Sequence, residues 1–168
     1  MGADKAGLDW RGLRAVDRVA RLARDVGSGE VITVGALDYG LPRVVEAPPF
    51  GGPAAGLLAG AAALAALGFD RVVVLAADAP TLRPSDIAPL LDHRGVGAAF
   101  AGQHLPLVAS VAALPREVSA GWPMARVLEQ AGLARLVCAP EASARVRGAN
   151  TPEERETLLA ELAVYENA

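Results

Sequence analysis

Lysine is nearly absent from this sequence of 168 residues: Lys and Arg together number sixteen, and Lys5 is the one lysine among them. In a chain this rich in Ala, Arg, Gly and Pro, arginine stands wherever any cation serves. A lysine that persists either marks a place needing a compact, mobile ammonium instead of a planar fork, or survives by chance near a terminus. Composition alone leaves both readings open.

Other scarcities exclude more. With Cys138 as the one cysteine, no intrachain disulfide is possible, and a cytoplasmic setting is the simple expectation. The two histidines lack the spaced Cys or His partners of a zinc site. His93 reads as the last turn of a helix, where a cation suits the dipole, and His104 as part of a polar turn. Cys138 reads as a core filler in an apolar strand. Positive charge is not in excess: the net charge is −3, so no nucleic-acid partner is expected. The longest small-apolar run, 53–67, falls short of the roughly 20 residues of a membrane span. The polar opening 1–5 leads into no apolar signal segment. No membrane partner is expected, and there is no repeat or low-complexity tail.

What remains is alternation of strands and helices. The spacing of Val16, Val19, Ala20 and Leu22 predicts an amphipathic helix over 14–25, closed by Gly27 and Gly29. Strands are predicted at 30–34 and 43–45, a loop at 46–52, and a helix of small residues at 53–67. The run 71–76 (RVVVLA) reads as a central parallel strand covered on both faces. A helix from Pro84 to about His93 follows, then strands at 97–101 and 107–111 around a turn at Gly102. A helix at 124–130, a strand at 136–139 and a last helix from Thr151 to about Tyr165 complete the chain. Thr151, Pro152 and Glu154 spell a capping box. The pattern predicts one α/β domain over 1–168 with a parallel sheet and right-handed crossovers.

In such sheets ligands bind beyond the carboxyl ends of the strands. Asp78, just past the best strand and followed by Pro80, is placed there. It suits Mg²⁺, which takes carboxylate oxygen and keeps its waters, or else it caps a turn. Asp86 in the next helix reads as surface. Gly52, Pro53 and Gly56 open the small-residue helix, whose N-terminus offers free N–H groups to an anion. Packing explains Gly56 equally well.

Several segments together resemble one family. Met1-Gly-Ala-Asp-Lys-Ala-Gly-Leu-Asp-Trp is similar to the end of a nucleotidyltransferase signature. Gly52-Pro-Ala-Ala-Gly resembles the Gly-Pro-Leu-Ala-Gly helix start of molybdenum cofactor guanylyltransferases, and Leu75-Ala-Ala-Asp-Ala-Pro their Asp-X-Pro. Asn150-Thr-Pro-Glu-Glu resembles their Asn-Thr-Pro-Glu, and 103–107 and 122–128 match in position. The resemblance implies a Rossmann-like, GT-A-like three-layer sandwich with a mostly parallel sheet. It implies transfer of GMP from GTP to the terminal phosphate of molybdopterin, with Mg²⁺ as cofactor and pyrophosphate as leaving group. A CTP- or sugar-phosphate-using transferase is the alternative, as is a non-catalytic nucleotide-binding module. By position, Lys5 would hold the triphosphate, Asp78 the metal, and Gly52, Pro53, Gly56 and Glu46 the nucleotide; Asn150 would border the pterin.

The sequence departs from the family at two places. Gly148 stands where the family commonly has the first Asn of Asn-X-Asn. The family's first strand and its Leu-Ala-Gly-Gly-X-Ser-X-Arg loop would precede Met1. The expectation is a misassigned start, with the protein beginning about twenty residues earlier, a strand plus its loop.

Overall fold

A computed structural model of the chain describes residues 4–45, 51–119 and 121–167. The order is β1 (Asp9–Trp10), β2 (Leu13–Arg14), α1 (Ala15–Asp25), β3 (Thr33–Val34), β4 (Arg43–Val44), α2 (Gly52–Ala66), β5 (Arg71–Val74), α3 (Pro84–Leu91), β6 (Gly97–Phe100), β7 (Leu107–Ser110), α4 (Met124–Gln130), β8 (Ala134–Leu136), α5 (Pro140–Arg147) and α6 (Pro152–Glu166).

Helix α1 buries the predicted stripe, Val16, Val19, Ala20 and Leu22, and leaves Arg21 and Arg24 outside. Helix α2 has no polar face, because it is made of Ala, Gly and Leu. Its small residues have a specific use. A Cβ on Gly56 or Gly60 would lie 3.4 and 2.9 Å from the methyls of Val34, so their absence lets β3 rest directly on the helix. Gly52 has φ +83°, which favours glycine.

The main sheet has the order β5-β7-β6-β8. Strand β7 is antiparallel to both β5 and β6, while β6 and β8 are parallel, so three of the four strands run one way. Strands β3 and β4 form a separate parallel pair. Side chains alternate across the main sheet. Val72, Ala99, Leu107 and Ala109 pack with Leu57 and Ala61 of α2 and Val127 and Leu128 of α4. Val73, Ala98, Phe100 and Val108 pack with Leu22 of α1, Ile87 and Leu90 of α3, and Ala142 and Val146 of α5. The result is a three-layer α/β sandwich of Rossmann-like form.

The structure corrects several expectations. The run at β5 is a strand, but among the described residues it pairs only with β7, and antiparallel. Its apolar character reflects cover by helices on both faces, not a second partner strand. Strand β8 ends at Leu136, so Cys138 lies in the following turn, half-buried, with its thiol pushed up chiefly by burial. Helix α3 ends at Leu91, which leaves His93 beyond it. Helix α5 was not anticipated. It carries Arg145, which donates to both oxygens of Asp86 at 2.8 and 2.7 Å. Asp86 is therefore buried, not a surface residue. Its Oδ2 also accepts the Arg83 N–H at 3.0 Å and so caps α3.

Candidate active site

The first described residues are tied to the last helix. Strands β1 and β2 form a hairpin whose turn residues, Arg11 and Gly12, have φ 57° and 82°, the left-handed pair of a tight hairpin turn. Trp10 is buried against Ala15 and Leu158. The Arg155 guanidinium lies 5.2 Å from the centre of the Trp10 ring and donates to the Asp9 carbonyl at 2.6 Å. Arg18 donates to the Trp10 carbonyl at 2.6 Å and to Glu166 at 2.7 Å, and Arg11 donates to Glu166 at 2.9 Å. These contacts hold Glu166 below its usual range, first through the Arg18 hydrogen bond.

That anchoring carries the loop containing Lys5 to the carboxyl end of β5. Lys5 Nζ donates to Asp78 Oδ2 at 3.4 Å and to Asn150 Oδ1 at 3.3 Å. Three residues separated by most of the chain thus meet at one cation. The ammonium and the carboxylate are 47% and 41% exposed. An exposed pair of this kind adds only about 0–1 kcal/mol to stability, so its position is not explained by a need to hold the fold.

Each partner is fixed from behind. Asp78 follows β5 in a turn closed by Ala79 N–H to Ala76 O at 3.1 Å. Gly148 lies against that turn: a Cβ there would stand 2.8 Å from the Asp78 carbonyl oxygen, and φ is +71°. The glycine that departs from the family pattern is what lets α5 and α6 approach Asp78. Asn150 donates its N–H to Glu154 Oε2 at 2.8 Å, and Thr151 completes the capping box with Glu154. Glu154 is held below its usual range, chiefly by the Asn150 N–H, with Arg147 and Lys5 adding to the effect.

Sequence reasoning missed Tyr39. Its hydroxyl donates to Asp4 Oδ1 at 2.7 Å, and the same oxygen accepts the Ala6 N–H at 3.1 Å. Asp4 therefore clamps both sides of Lys5. Arg14 holds the Tyr39 carbonyl at 2.8 Å. Burial, then Asp4, pushes the Tyr39 hydroxyl up to about 12. The contact spans 35 residues along the chain, and no motif announces it.

A cavity of about 680 Å³ opens beside these groups, lined by Gly52, Pro53, Gly56, Tyr39 and Asp78 among others. Gly52, Pro53 and Gly56 thus line the same space as Asp78, and Asp78 shares the Lys5 ammonium with Asn150. Glu46 lies outside the described residues. No group of three or more His, Cys, Asp or Glu suited to a metal occurs among the described residues. A magnesium site does not require one, since this ion uses one or two carboxylates and completes its shell with phosphates and water. Asp78 Oδ2 and Asn150 Oδ1 already converge on a cation, the Lys5 ammonium, so the donor set fits. No helix among the described residues is long and apolar enough to cross a membrane.

The MobA-like NTP transferase domain family matches residues 1–144, and the chain belongs to that family of nucleotidyltransferases. No curated protein matches. Among solved structures, the chain is similar to a nucleotidyl transferase from Methanothermobacter thermautotroptrophicus, with a TM-score of 0.69 and 16% identity over 96% of this chain and 86% of that one. It is also similar to 2-C-methyl-D-erythritol 4-phosphate cytidylyltransferase from Thermus thermophilus, with a TM-score of 0.62 and 16% identity over 96% and 95%. At this identity both likenesses speak to the fold.

Proposed function

We propose that this chain is a guanylyltransferase of molybdenum-cofactor synthesis, moving GMP from GTP to molybdopterin. The observation that supports it most is the meeting of Lys5 and Asn150 with Asp78, which lines a cavity shared with Gly52 and Gly56 of α2. A terminal phosphate oxygen of molybdopterin attacks the α-phosphorus of GTP. The bond to the bridging oxygen breaks, and pyrophosphate leaves. Such a reaction needs position and charge neutralisation more than covalent help. Lys5, on a flexible stem, turns from its protein acceptors to the triphosphate. The N-terminus of α2 offers free N–H groups to phosphate oxygens, Gly52 leaves room for the nucleotide, and Gly56 lines the same cavity. Asn150 borders the acceptor. Asp78 would hold Mg²⁺, which when bound neutralises phosphate charge.

The likeness to a cytidylyltransferase supports a second reading, with CTP as donor. Thermal-shift titration with GTP, CTP and ATP, each with Mg²⁺, separates the two. Stabilisation by GTP above the others is expected; stabilisation by CTP alone overturns the guanylyl assignment. A module that binds nucleotide without catalysis would release no pyrophosphate with any donor and acceptor.

A further inference from the structure

The Lys5 ammonium is the one donor that reaches the side-chain oxygens of Asp78 and Asn150 among the described residues, at 3.4 and 3.3 Å. An ammonium has only hydrogens to give, so both side chains turn oxygen toward it. Oxygen is also what magnesium takes, from carboxylates and amide carbonyls. The two oxygens suited to a divalent cation therefore already serve a monovalent one. Bound to the same pair, a divalent ion would stand against a like charge.

The contact is built so that the side chain can leave while its loop stays. The Lys5 carbonyl accepts the Leu8 N–H at 3.3 Å, Asp4 Oδ1 accepts the Ala6 N–H at 3.1 Å, and the Ala6 carbonyl accepts the Val16 N–H at 2.9 Å. Movement is left to the four-carbon stem, whose charged head is half-exposed. Glu154, the carboxylate behind Asn150, offers no second seat. It already accepts from Arg147 and from the N–H groups of Asn150 and Thr151. An arginine at position 5 would behave differently. Its planar fork grips a carboxylate with two bonds, as Arg145 grips Asp86, and yields it less readily. This accounts for one lysine in a chain that elsewhere uses arginine.

We infer that the Lys5 ammonium is a place-holder for the divalent cation: the two are alternative occupants of the Asp78–Asn150 oxygens, and Lys5 is released as the metal is taken up. The inference rests on the reading of Asp78 as the carboxylate that holds the metal. No covalent bond changes; one cation replaces another on the same acceptors. The released ammonium is then free to meet a phosphate chain, so metal and phosphates each favour the binding of the other.

The single lysine makes the exchange directly visible. With lysine isotopically labelled at Cε, NMR of the chain reads Lys5 alone. Titration with Mg²⁺ alone is expected to move that signal to the position of an unrestrained lysine, over the same concentrations at which the metal binds. Water-proton relaxation with Mn²⁺ alone gives the affinity. It is expected to tighten about fivefold in Lys5→Ala, the hold of an exposed ion pair, to be no tighter than in the parent in Lys5→Arg, and to be lost in Asp78→Ala. A Lys5 signal that stays in place while metal fills an Asp78-dependent site overturns the exchange and leaves Asp78 as the holder of the metal. Unchanged affinity in Lys5→Ala, or equal tightening in Lys5→Arg, does the same. Metal binding undiminished in Asp78→Ala, or none in the parent and Lys5→Ala alike, overturns the exchange and that holder together.

Discussion

The two sides of the molecule differ in how their strands are paired. In the sheet β5-β7-β6-β8, β6 and β7 each have a neighbour on both edges and are almost wholly buried. Beyond the cavity, β3 and β4 pair only with each other among the described residues, and Val34, Leu37 and Val45 are exposed. The four-stranded side is held by packing and by the buried Arg145–Asp86 pair, and the two-stranded side borders the Lys5–Asp78 cleft. Stability and chemistry are thereby placed in different halves, and substitutions should separate them.

The largest effect is expected at the buried pair. Asp86→Ala leaves Arg145 without its bidentate partner and removes the α3 cap. A loss of about 3–5 kcal/mol is expected, read as a lower urea midpoint at unchanged m. Phe100→Ala in β6, 1% exposed, should cost a similar ~3–5 kcal/mol through the cavity it leaves. Leu37→Ala on the open side, 53% exposed, should stay within about 0.5 kcal/mol. If the two cost the same, the contrast between the halves is wrong.

Next is Thr151→Ala, which removes an N-cap and should cost about 1 kcal/mol. Because the cap orders Asn150, the same change should weaken the response to nucleotide, measured by thermal shift. A small stability effect is expected from Tyr39→Phe, which deletes the bond to Asp4. It loosens the Lys5 loop, so a rise of a few fold in the KM for the nucleotide is expected, with kcat little changed. Tyr39 also gives a pH signature. Its folded value, about 12, lies above its ordinary value of 10.0, so its contribution is fully present below pH 10 and fades as pH rises toward 12. In Tyr39→Phe that part of the alkaline loss of stability should disappear, as followed by denaturation at pH 9 to 12.

How much could be read from the residues follows from the range of the interactions. Helices α1, α4 and α6 were legible because their signals are local: a 3.6-residue apolar stripe, or a Thr-Pro-Glu-Glu cap within one turn. Lys5, Asp78 and Asn150 were singled out by scarcity, by position after a strand and by family likeness, and the structure brings them together. Asp86 was misread because its partner, Arg145, is 59 residues away on a helix with little apolar pattern. Tyr39 escaped for the same reason. The strand partners of β5 were misjudged because an apolar run reports cover by helices, which β5 has, and says nothing about which edge is bonded. Gly148 looked like a lapse from a motif, and its reason, close approach to Asp78, exists only in three dimensions.

The account rests most heavily on a triphosphate site shared by Lys5 and Asp78. Its direct test is the thermal shift produced by GTP with Mg²⁺ in the parent chain, Lys5→Ala and Asp78→Ala. The predicted result is three proteins of nearly equal stability without ligand, since the pair is exposed, with a ligand-induced rise in Tm only in the parent. A rise of the same size in both variants would contradict it.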